Sequence, residues 1–257
     1  MGELEKALRA VRDSGGRAFV PYVTGGYPGV DAELLRALAD AGADAIEVGI
    51  PHSDPIMDGG VIQEASRVAL ERGTHPRDVL ATVAEADVGV PVAVMTYANI
   101  VTRAGTDSFC ADLAGAGVQG AIVPDLPVDE SGDLAAAAAA HGIDMVLLAA
   151  PGTAPERYAA IGAAAHGFVY CVGVYGVTGS RGELSTTARE VVDAVRPHTD
   201  LPLLVGVGIA TPELAAEACA FADGVIVGTA MMAPLLEHDR DRVVALATAF
   251  REAVPAA

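Results

Sequence analysis

Two carboxylates stand out because no cation is close to them in the sequence. Glu47 lies in a short apolar segment, and Asp58 lies in the proline- and glycine-rich loop that follows it. No lysine or arginine occurs between Arg36 and Arg67, although several acidic residues do. Two carboxylates in different environments can divide the roles of general acid and general base. An inward structural glutamate and an ordinary turn aspartate are the alternative interpretation.

Three later loops are rich in glycine, and each follows a predicted strand. They cover residues 173–180, 206–208 and 228–229. Backbone N–H groups in such loops, together with the amino end of a short helix, can hold a phosphate without lysine. For any one of these loops, the simpler interpretation is that glycine allows a tight turn between strand and helix. The set of three in this order predicts a phosphate site.

The composition disfavours several other kinds of catalysis. The single lysine, Lys6, precedes the first predicted strand, so it is a poor candidate for Schiff-base chemistry. The six histidines have no HxxxH or HxH spacing, and the three cysteines are scattered. These patterns argue against a metal site and against a disulfide framework. We therefore predict no metal and no cofactor.

Charge and hydropathy limit the partners and the location of the chain. The net charge of −18 disfavours nucleic acid or an anionic membrane surface as a partner. No apolar run approaches the ~18 residues of a membrane span, and the N-terminus lacks a signal-peptide pattern. Hydrophobic residues make up 52% of the chain, which is ample for a large core. We expect a cytoplasmic protein.

Short β-branched runs alternate with helical, alanine- and leucine-rich stretches along the chain. Strands are predicted at Ala18–Val23, Ala45–Gly49, Val90–Met95, Gly120–Val123, Asp144–Ala149, Gly167–Val172, Pro202–Gly206 and Gly224–Val227. Helices are predicted at about 31–41, 61–72, 107–116, 130–141, 155–165, 186–196, 211–219 and 239–252, with extra helices near 3–13 and 77–87. Eight alternations predict a single α/β domain over residues 1–257, a (β/α)8 TIM barrel with an extra N-terminal helix. A doubly wound open sheet is the alternative.

Side chains of a barrel strand alternate between the interior and the surrounding helices. This pattern predicts that Ala45, Glu47 and Gly49 face the interior, with Ile46 and its alternate neighbours facing the helices. Catalytic groups of such barrels lie at the carboxyl ends of the strands. Glu47, the loop after it and the glycine-rich loops should therefore meet at one end of the barrel.

Several motifs, in the same order, resemble those of the tryptophan synthase α subunit family. The most specific motif covers residues 47–58, with the sequence EVGIPHSDPIMD. Further matching motifs are found at residues 21–28, 95–99, 124–127, 176–179, 206–209 and 227–230. The resemblance covers residues 17–232. It implies a (β/α)8 barrel that cleaves indole-3-glycerol phosphate to indole and glyceraldehyde 3-phosphate, with the protonated substrate as its own electron sink.

The resemblance also implies roles for individual residues. It assigns Glu47 to acid/base work at indole C3 and the glycerol hydroxyl, and Asp58 to accepting or stabilising the indole N–H proton. By this resemblance, two tyrosines and two isoleucines would line the indole pocket. Three glycines and Thr229 would bind the phosphate, and Thr178 would lie in a loop that closes over the substrate. The implied substrate-binding set is Tyr22, Ile122, Tyr170, Thr178, Gly179, Gly208, Ile209, Gly228 and Thr229.

Four residues depart from the family pattern. His52 stands where phenylalanine is common, Gly60 where proline is usual, Gly152 where threonine is frequent and Gly173 where serine is frequent. Glycine raises the entropy that is lost when a loop becomes ordered. We therefore expect Gly60 and Gly173 to affect loop closure and the rate of the isolated subunit.

The resemblance implies a partner. The family's α subunit docks on a pyridoxal-phosphate-dependent β subunit, and the expected docking face includes Pro51, His52, Asp54 and Asn99. This predicts an α2β2 heterotetramer. Three alternatives remain open: a free-standing indole-3-glycerol-phosphate lyase, a catalytically silent barrel that activates a β partner, and another phosphate-binding barrel enzyme. The last, such as a sugar-phosphate isomerase, would not explain the segment from Glu47 to Asp58.

Overall fold

The computed structural model describes residues 1–173 and 181–256. Within these ranges, eight strands form one closed barrel, in which each strand pairs in parallel with the next and the last pairs with the first. The strands are β1 (Ala18–Thr24), β2 (Ile46–Gly49), β3 (Val92–Met95), β4 (Gly120–Ile122), β5 (Asp144–Ala149), β6 (Val169–Val172), β7 (Leu203–Gly206) and β8 (Gly224–Val227). The barrel prediction is confirmed, and the open sheet is excluded.

Helices surround the barrel and connect its strands. In the described ranges they are α1 (Glu3–Asp13), α2 (Ala32–Asp40), α3 (Gly60–Glu71), α4 (Pro76–Ala86), α5 (Ala98–Ala104), α6 (Thr106–Gly115), α7 (Gly132–Ala140), α8 (Pro155–Ala164), α9 (Arg181–Val195), α10 (Pro212–Cys219), α11 (Thr229–Leu236) and α12 (Arg240–Ala253). Short 3-10 helices occur at Val128–Glu130 and Arg196–His198. Over the same ranges, none of the helices combines the length and the apolar character that crossing a bilayer requires.

Two short helices, α5 and α11, occur where the sequence predicted no helix. Residues 100–102 of α5 are β-branched, and α11 contains Pro234 within its span. Both features lower helix propensity. In α11, burial of Met231, Met232 and Leu235 supplies tertiary contacts that propensity does not include. The structure therefore corrects the prediction of loop at these two positions.

The barrel carries one hydrophobic layer inside and a second layer between its strands and the helices. Ala45 belongs to the interior layer, whereas Ile46 and Val48 belong to the outer one. Glu47 follows the two-residue period of Ala45 and therefore faces the interior, as predicted. Other interior residues include Val20, Ala93, Ile122, Val146, Phe168, Leu204 and Ile226.

Helix α1 closes the amino-terminal end of the barrel. Leu4 and Leu8 of this helix are fully buried within the interior layer. The Asp144 carboxylate at the start of β5 accepts a hydrogen bond from the Glu5 backbone N–H over 3.0 Å. It thereby caps a helix whose own cap residue, Gly2, has no side chain for this purpose. The carboxyl ends of the strands are consequently the end at which a ligand can enter.

Candidate active site

Glu47 is buried, and no ion pair to it occurs among the described residues. It lies opposite Tyr22 in the register of β1 and β2, and its exposed fraction is 1%. Its Oε2 atom has no hydrogen-bond partner in the described part of the chain. Burial, and secondly the charge of Asp58, raise the pKa of Glu47 to about 8. At neutral pH Glu47 is therefore protonated and can donate a proton.

Asp58 lies in the loop between β2 and α3 and has a defined partner. The Tyr97 hydroxyl donates a hydrogen bond to Asp58 Oδ2 over 3.1 Å, and the Met57 backbone N–H donates to the same hydroxyl over 3.2 Å. Burial raises the pKa of Asp58 to about 6, while the hydrogen bond from Tyr97 opposes the rise. Asp58 is therefore mostly ionised at neutral pH. The two carboxylates thus lie in different environments and differ in pKa, as a division into acid and base requires.

Two tyrosines bring flat apolar surfaces to the interior beside Glu47. Tyr22 and Tyr170 are 3% and 9% exposed. A Cβ atom at Gly49 would collide with the Tyr22 hydroxyl, and one at Gly206 would collide with the Tyr170 hydroxyl. Burial raises the pKa of both tyrosines well above the ordinary value, so both stay neutral. The two glycines therefore make room for aromatic rings that can contact a planar ligand.

The two predicted isoleucines are also buried at the barrel. Ile122 is 1% exposed and belongs to the same interior layer as Tyr170. Ile209 is 3% exposed and belongs to the larger hydrophobic cluster that includes Tyr22. Their contact with substrate remains a prediction.

The amino end of α11 supplies the geometry of an anion site. Thr229 is the first residue of this helix, and Gly228 caps it. The first backbone N–H groups of a helix lack intrahelical acceptors and, with the helix dipole, favour an anion. A Cβ atom at Gly59 would lie 4.0 Å from Thr229 Oγ1, so this helix end adjoins the loop that carries Asp58. Residues 228–229, one of the three predicted phosphate loops, therefore form the start of a helix.

The loop after β7 contains consecutive left-handed residues. Val207 has φ of 68° and Gly208 has φ of 89°. A β-branched residue in this region is strained, and such strain is common at functional sites. Gly208 can adopt its conformation because it has no side chain.

The remaining predicted residues are placed as follows. Thr178 and Gly179 lie outside the described residues. The Gly173 backbone N–H donates a hydrogen bond to the Gly206 carbonyl oxygen over 3.0 Å. The start of the loop after β6 therefore adjoins the end of β7. Gly60 begins α3, and no atom of the described residues lies within 4 Å of a Cβ built there. Gly152 is left-handed, with φ of 78°, which is consistent with a glycine at this turn.

Sequence reasoning assigned no role to Tyr97, whose hydroxyl the structure places within hydrogen-bond distance of Asp58. The signal was available, because Tyr97 continues the inward alternation of Ala93 and Met95 at the carboxyl end of β3. Its contact with His52 was not expected either. The two rings stack with their centroids 4.4 Å apart.

Comparisons with known proteins identify a family. A family model described as tryptophan synthase alpha chain matches residues 8–254. The tryptophan synthase alpha chain of Streptomyces avermitilis is 44% identical over 240 residues, covering 92% of this chain and 87% of the relative. That of Chloroflexus aggregans is 42% identical over 262 residues, covering 100% of this chain and 98% of the relative.

Solved structures give the same result. A structure of Mycobacterium tuberculosis tryptophan synthase in space group F222 has 39% identity and a TM-score of 0.92, covering 100% of this chain and 99% of that chain. Tryptophan synthase subunit alpha from Legionella pneumophila strain Paris has 34% identity and a TM-score of 0.88, covering 98% of both chains.

Proposed function

The chain belongs to the tryptophan synthase alpha chain family, and we propose that it cleaves indole-3-glycerol phosphate to indole and glyceraldehyde 3-phosphate. The observation that carries this proposal is a buried Glu47 on β2 together with an Asp58, held by the Tyr97 hydroxyl, in the loop that follows. The pKa of Glu47 is raised to about 8 and that of Asp58 to about 6. Between these values one group can donate a proton while the other stabilises a positive charge.

The first step is protonation of the indole ring. Glu47 donates its proton to C3 of the indole, and the ring becomes a cation with its charge at the nitrogen. The Asp58 carboxylate stabilises this charge by accepting a hydrogen bond from the indole N–H. The protonated ring is the electron sink of the reaction.

The second step breaks the carbon–carbon bond. The Glu47 carboxylate takes the proton from the glycerol hydroxyl next to C3, and that carbon becomes a carbonyl. The bond between this carbon and C3 breaks, and its electron pair returns to the ring and neutralises it. The products are indole and glyceraldehyde 3-phosphate, and Glu47 is protonated again.

The residues around the carboxylates fit the two ends of this substrate. Tyr22 and Tyr170 offer neutral aromatic surfaces to the indole. The amino end of α11, with Gly228 and Thr229, offers N–H groups to the phosphate. Gly208, Ile122 and Ile209 complete the proposed pocket, and Thr178 and Gly179 remain predicted contacts of the closing loop.

We propose a tryptophan synthase β subunit as the partner that receives indole, in an α2β2 assembly. Two apolar side chains of the loop before α3 are exposed, Ile56 by 78% and Met57 by 40%. Pro51, His52 and Asn99 of the predicted docking face line one surface groove of about 840 Å³ next to this loop. Exposed apolar groups beside polar ones are typical of protein interfaces.

Location and domain organisation remain proposals as well. We propose that the chain acts in the cytoplasm and that residues 1–257 unfold as a single domain. Cell fractionation tests the first statement. A single cooperative unfolding transition, coincident by fluorescence and circular dichroism, tests the second.

Indole release by the purified chain, alone and with a β subunit, tests the proposed function. We expect slow release alone and a strong increase with the β subunit. Fast release that the β subunit leaves unchanged would identify a free-standing lyase. Stimulation of the β subunit without any cleavage would identify a silent barrel.

A further inference from the structure

His52 is held from two sides in the loop after β2. Its Nε2 atom lies 3.0 Å from Asn99 Oδ1, and its Nδ1 atom lies 3.1 Å from the Asp54 backbone nitrogen. The backbone N–H can only donate, so Nδ1 accepts and the ring proton is on Nε2, which donates to Asn99. The two bonds therefore fix the orientation of the ring and select one neutral tautomer.

The fixed ring packs on Tyr97. The two rings are stacked, with centroids 4.4 Å apart and planes inclined by 20°. Tyr97 is 3% exposed, and its hydroxyl donates to Asp58 over 3.1 Å. A continuous series of contacts thus runs from Asn99 through His52 and Tyr97 to Asp58.

Four other charged residues lie near the residues of this series. Asp54 lies on the same loop as His52, and Asp125 acts electrostatically on Tyr97. Arg77 and Arg103 line the groove that His52 borders.

We propose that His52 is a positioning residue, whose stacked and doubly hydrogen-bonded ring holds Tyr97 in the orientation in which it donates to Asp58. The inference rests on the proposed function of Asp58. His52 does not touch the reacting atoms, and it acts through Tyr97. Because His52 and Asn99 also lie on the predicted docking face, a partner bound there would contact the first members of the series.

Two matched substitutions separate the parts of this role. His52→Ala removes the stacking and both hydrogen bonds, whereas His52→Phe keeps a ring and removes only the hydrogen bonds. Asn99→Ala removes one anchor. His141→Ala is the control, because His141 has a comparable 2.9 Å contact with Asp107 at the end of α7, on another part of the surface. Each variant is made in the full chain.

Two readouts are measured: kcat and KM for indole release, and the Asp58 pKa from ¹³C NMR of the labelled carboxyl. His52→Ala should lower kcat about two- to tenfold, the usual effect of a lost hydrogen bond, with KM nearly unchanged. It should also raise the Asp58 pKa, because the Tyr97 bond that opposes the rise is weakened. His52→Phe and Asn99→Ala should give smaller changes, and His141→Ala none.

The variant Tyr97→Phe decides whether His52 acts through Tyr97. In that background, His52→Ala should cause little further loss of kcat. An equal fold loss in both backgrounds, or an unchanged Asp58 pKa in His52→Ala, would overturn the inference. The NMR readout does not need turnover, so failure of the proposed function, seen as no indole release by the wild type, is distinguished from failure of this inference.

Discussion

The Tyr97 hydroxyl lies 3.1 Å from Asp58 Oδ2 and joins the carboxyl end of β3 to the loop after β2. This bond stabilises the ionised form of a carboxylate whose pKa burial would otherwise raise further. Glu47 has no comparable bond at Oε2 within the described residues. Burial and the charge of Asp58 raise the pKa of Glu47, and the Tyr97 bond limits the rise at Asp58, which is the physical origin of the proposed division into acid and base.

The rate of indole release should depend on pH in a bell shape. The pKa of Asp58 is raised to about 6 and that of Glu47 to about 8, so activity should fall below the first value and above the second. The measurement is kcat/KM between pH 5 and pH 9.5 at constant ionic strength, because kcat/KM reports the pKa values of the enzyme without substrate. A rate that keeps increasing above pH 8 would contradict protonated Glu47 as the acid.

The free energy of unfolding should respond to Glu47→Gln in a pH-dependent way. Glu47 has an ordinary pKa of 4.5 and a pKa of about 8 in the folded protein, so the folded state holds a proton that the unfolded state releases between these values. Stability of the wild type should therefore fall as pH rises through this window. Glutamine does not titrate, so the variant should become increasingly more stable than the wild type from pH 5 to pH 9.

Urea unfolding at pH 5, 7 and 9 measures this effect. Each pKa unit corresponds to about 1.4 kcal/mol, so the total over the window is on the order of several kcal/mol. Glu252→Gln on the exposed surface of α12 is the matched control, for which we expect a constant difference. Parallel curves for the wild type and Glu47→Gln would contradict the raised pKa.

Gly206→Ala should disturb the position of Tyr170. The added Cβ atom would collide with the Tyr170 hydroxyl, so the ring must move away from its position beside Gly206. We expect a loss of about 1–3 kcal/mol in unfolding free energy from overpacking, and about a tenfold increase in KM for the substrate.

The control for this variant is Gly115→Ala, at the end of α6. Within residues 1–173 and 181–256, no atom lies within 4 Å of a Cβ built at Gly115, so the same chemical change meets open space. We expect an unchanged KM there and equal or higher stability, because alanine favours a helix. An unchanged KM in Gly206→Ala would remove Tyr170 from the binding site.

Gly60→Pro should stabilise the start of α3. Gly60 is the first helical residue, where proline is well tolerated, and Gly59 before it has φ of −74° and ψ of 162°, as a residue before proline prefers. We expect a gain of about 0.4–1 kcal/mol in unfolding free energy from the lower entropy of the unfolded chain.

Gly132→Pro is the matched control at the first residue of α7. Ser131 before it has ψ of −7°, a conformation that a following proline disfavours, so we expect this variant to lose stability. If Gly60→Pro unfolds at a lower urea concentration than the wild type, the start of α3 does not have the conformation described here.

The elements that depend on local pattern were predictable from sequence, and those that depend on tertiary packing were not. The alternation of residues 45–50 predicted the inward position of Glu47, and every predicted strand agrees with the structure to within two residues. Helix α11 was missed because its apolar sequence with Pro234 is stabilised by burial. The alternation of β3 gives Tyr97 an inward position, but its bond to Asp58 joins a strand end to a separate loop, and no sequence period encodes that distance.

Indole release from indole-3-glycerol phosphate by the wild type, Glu47→Gln and Asp58→Asn at pH 7 shows whether the two carboxylates carry out the cleavage. A positioned proton transfer contributes about 10²–10⁴ in rate, so each variant should lose activity by about that factor. Circular dichroism should show that the fold is intact in both. Substantial turnover by either folded variant, or no release by the wild type with and without a β subunit, would contradict the account.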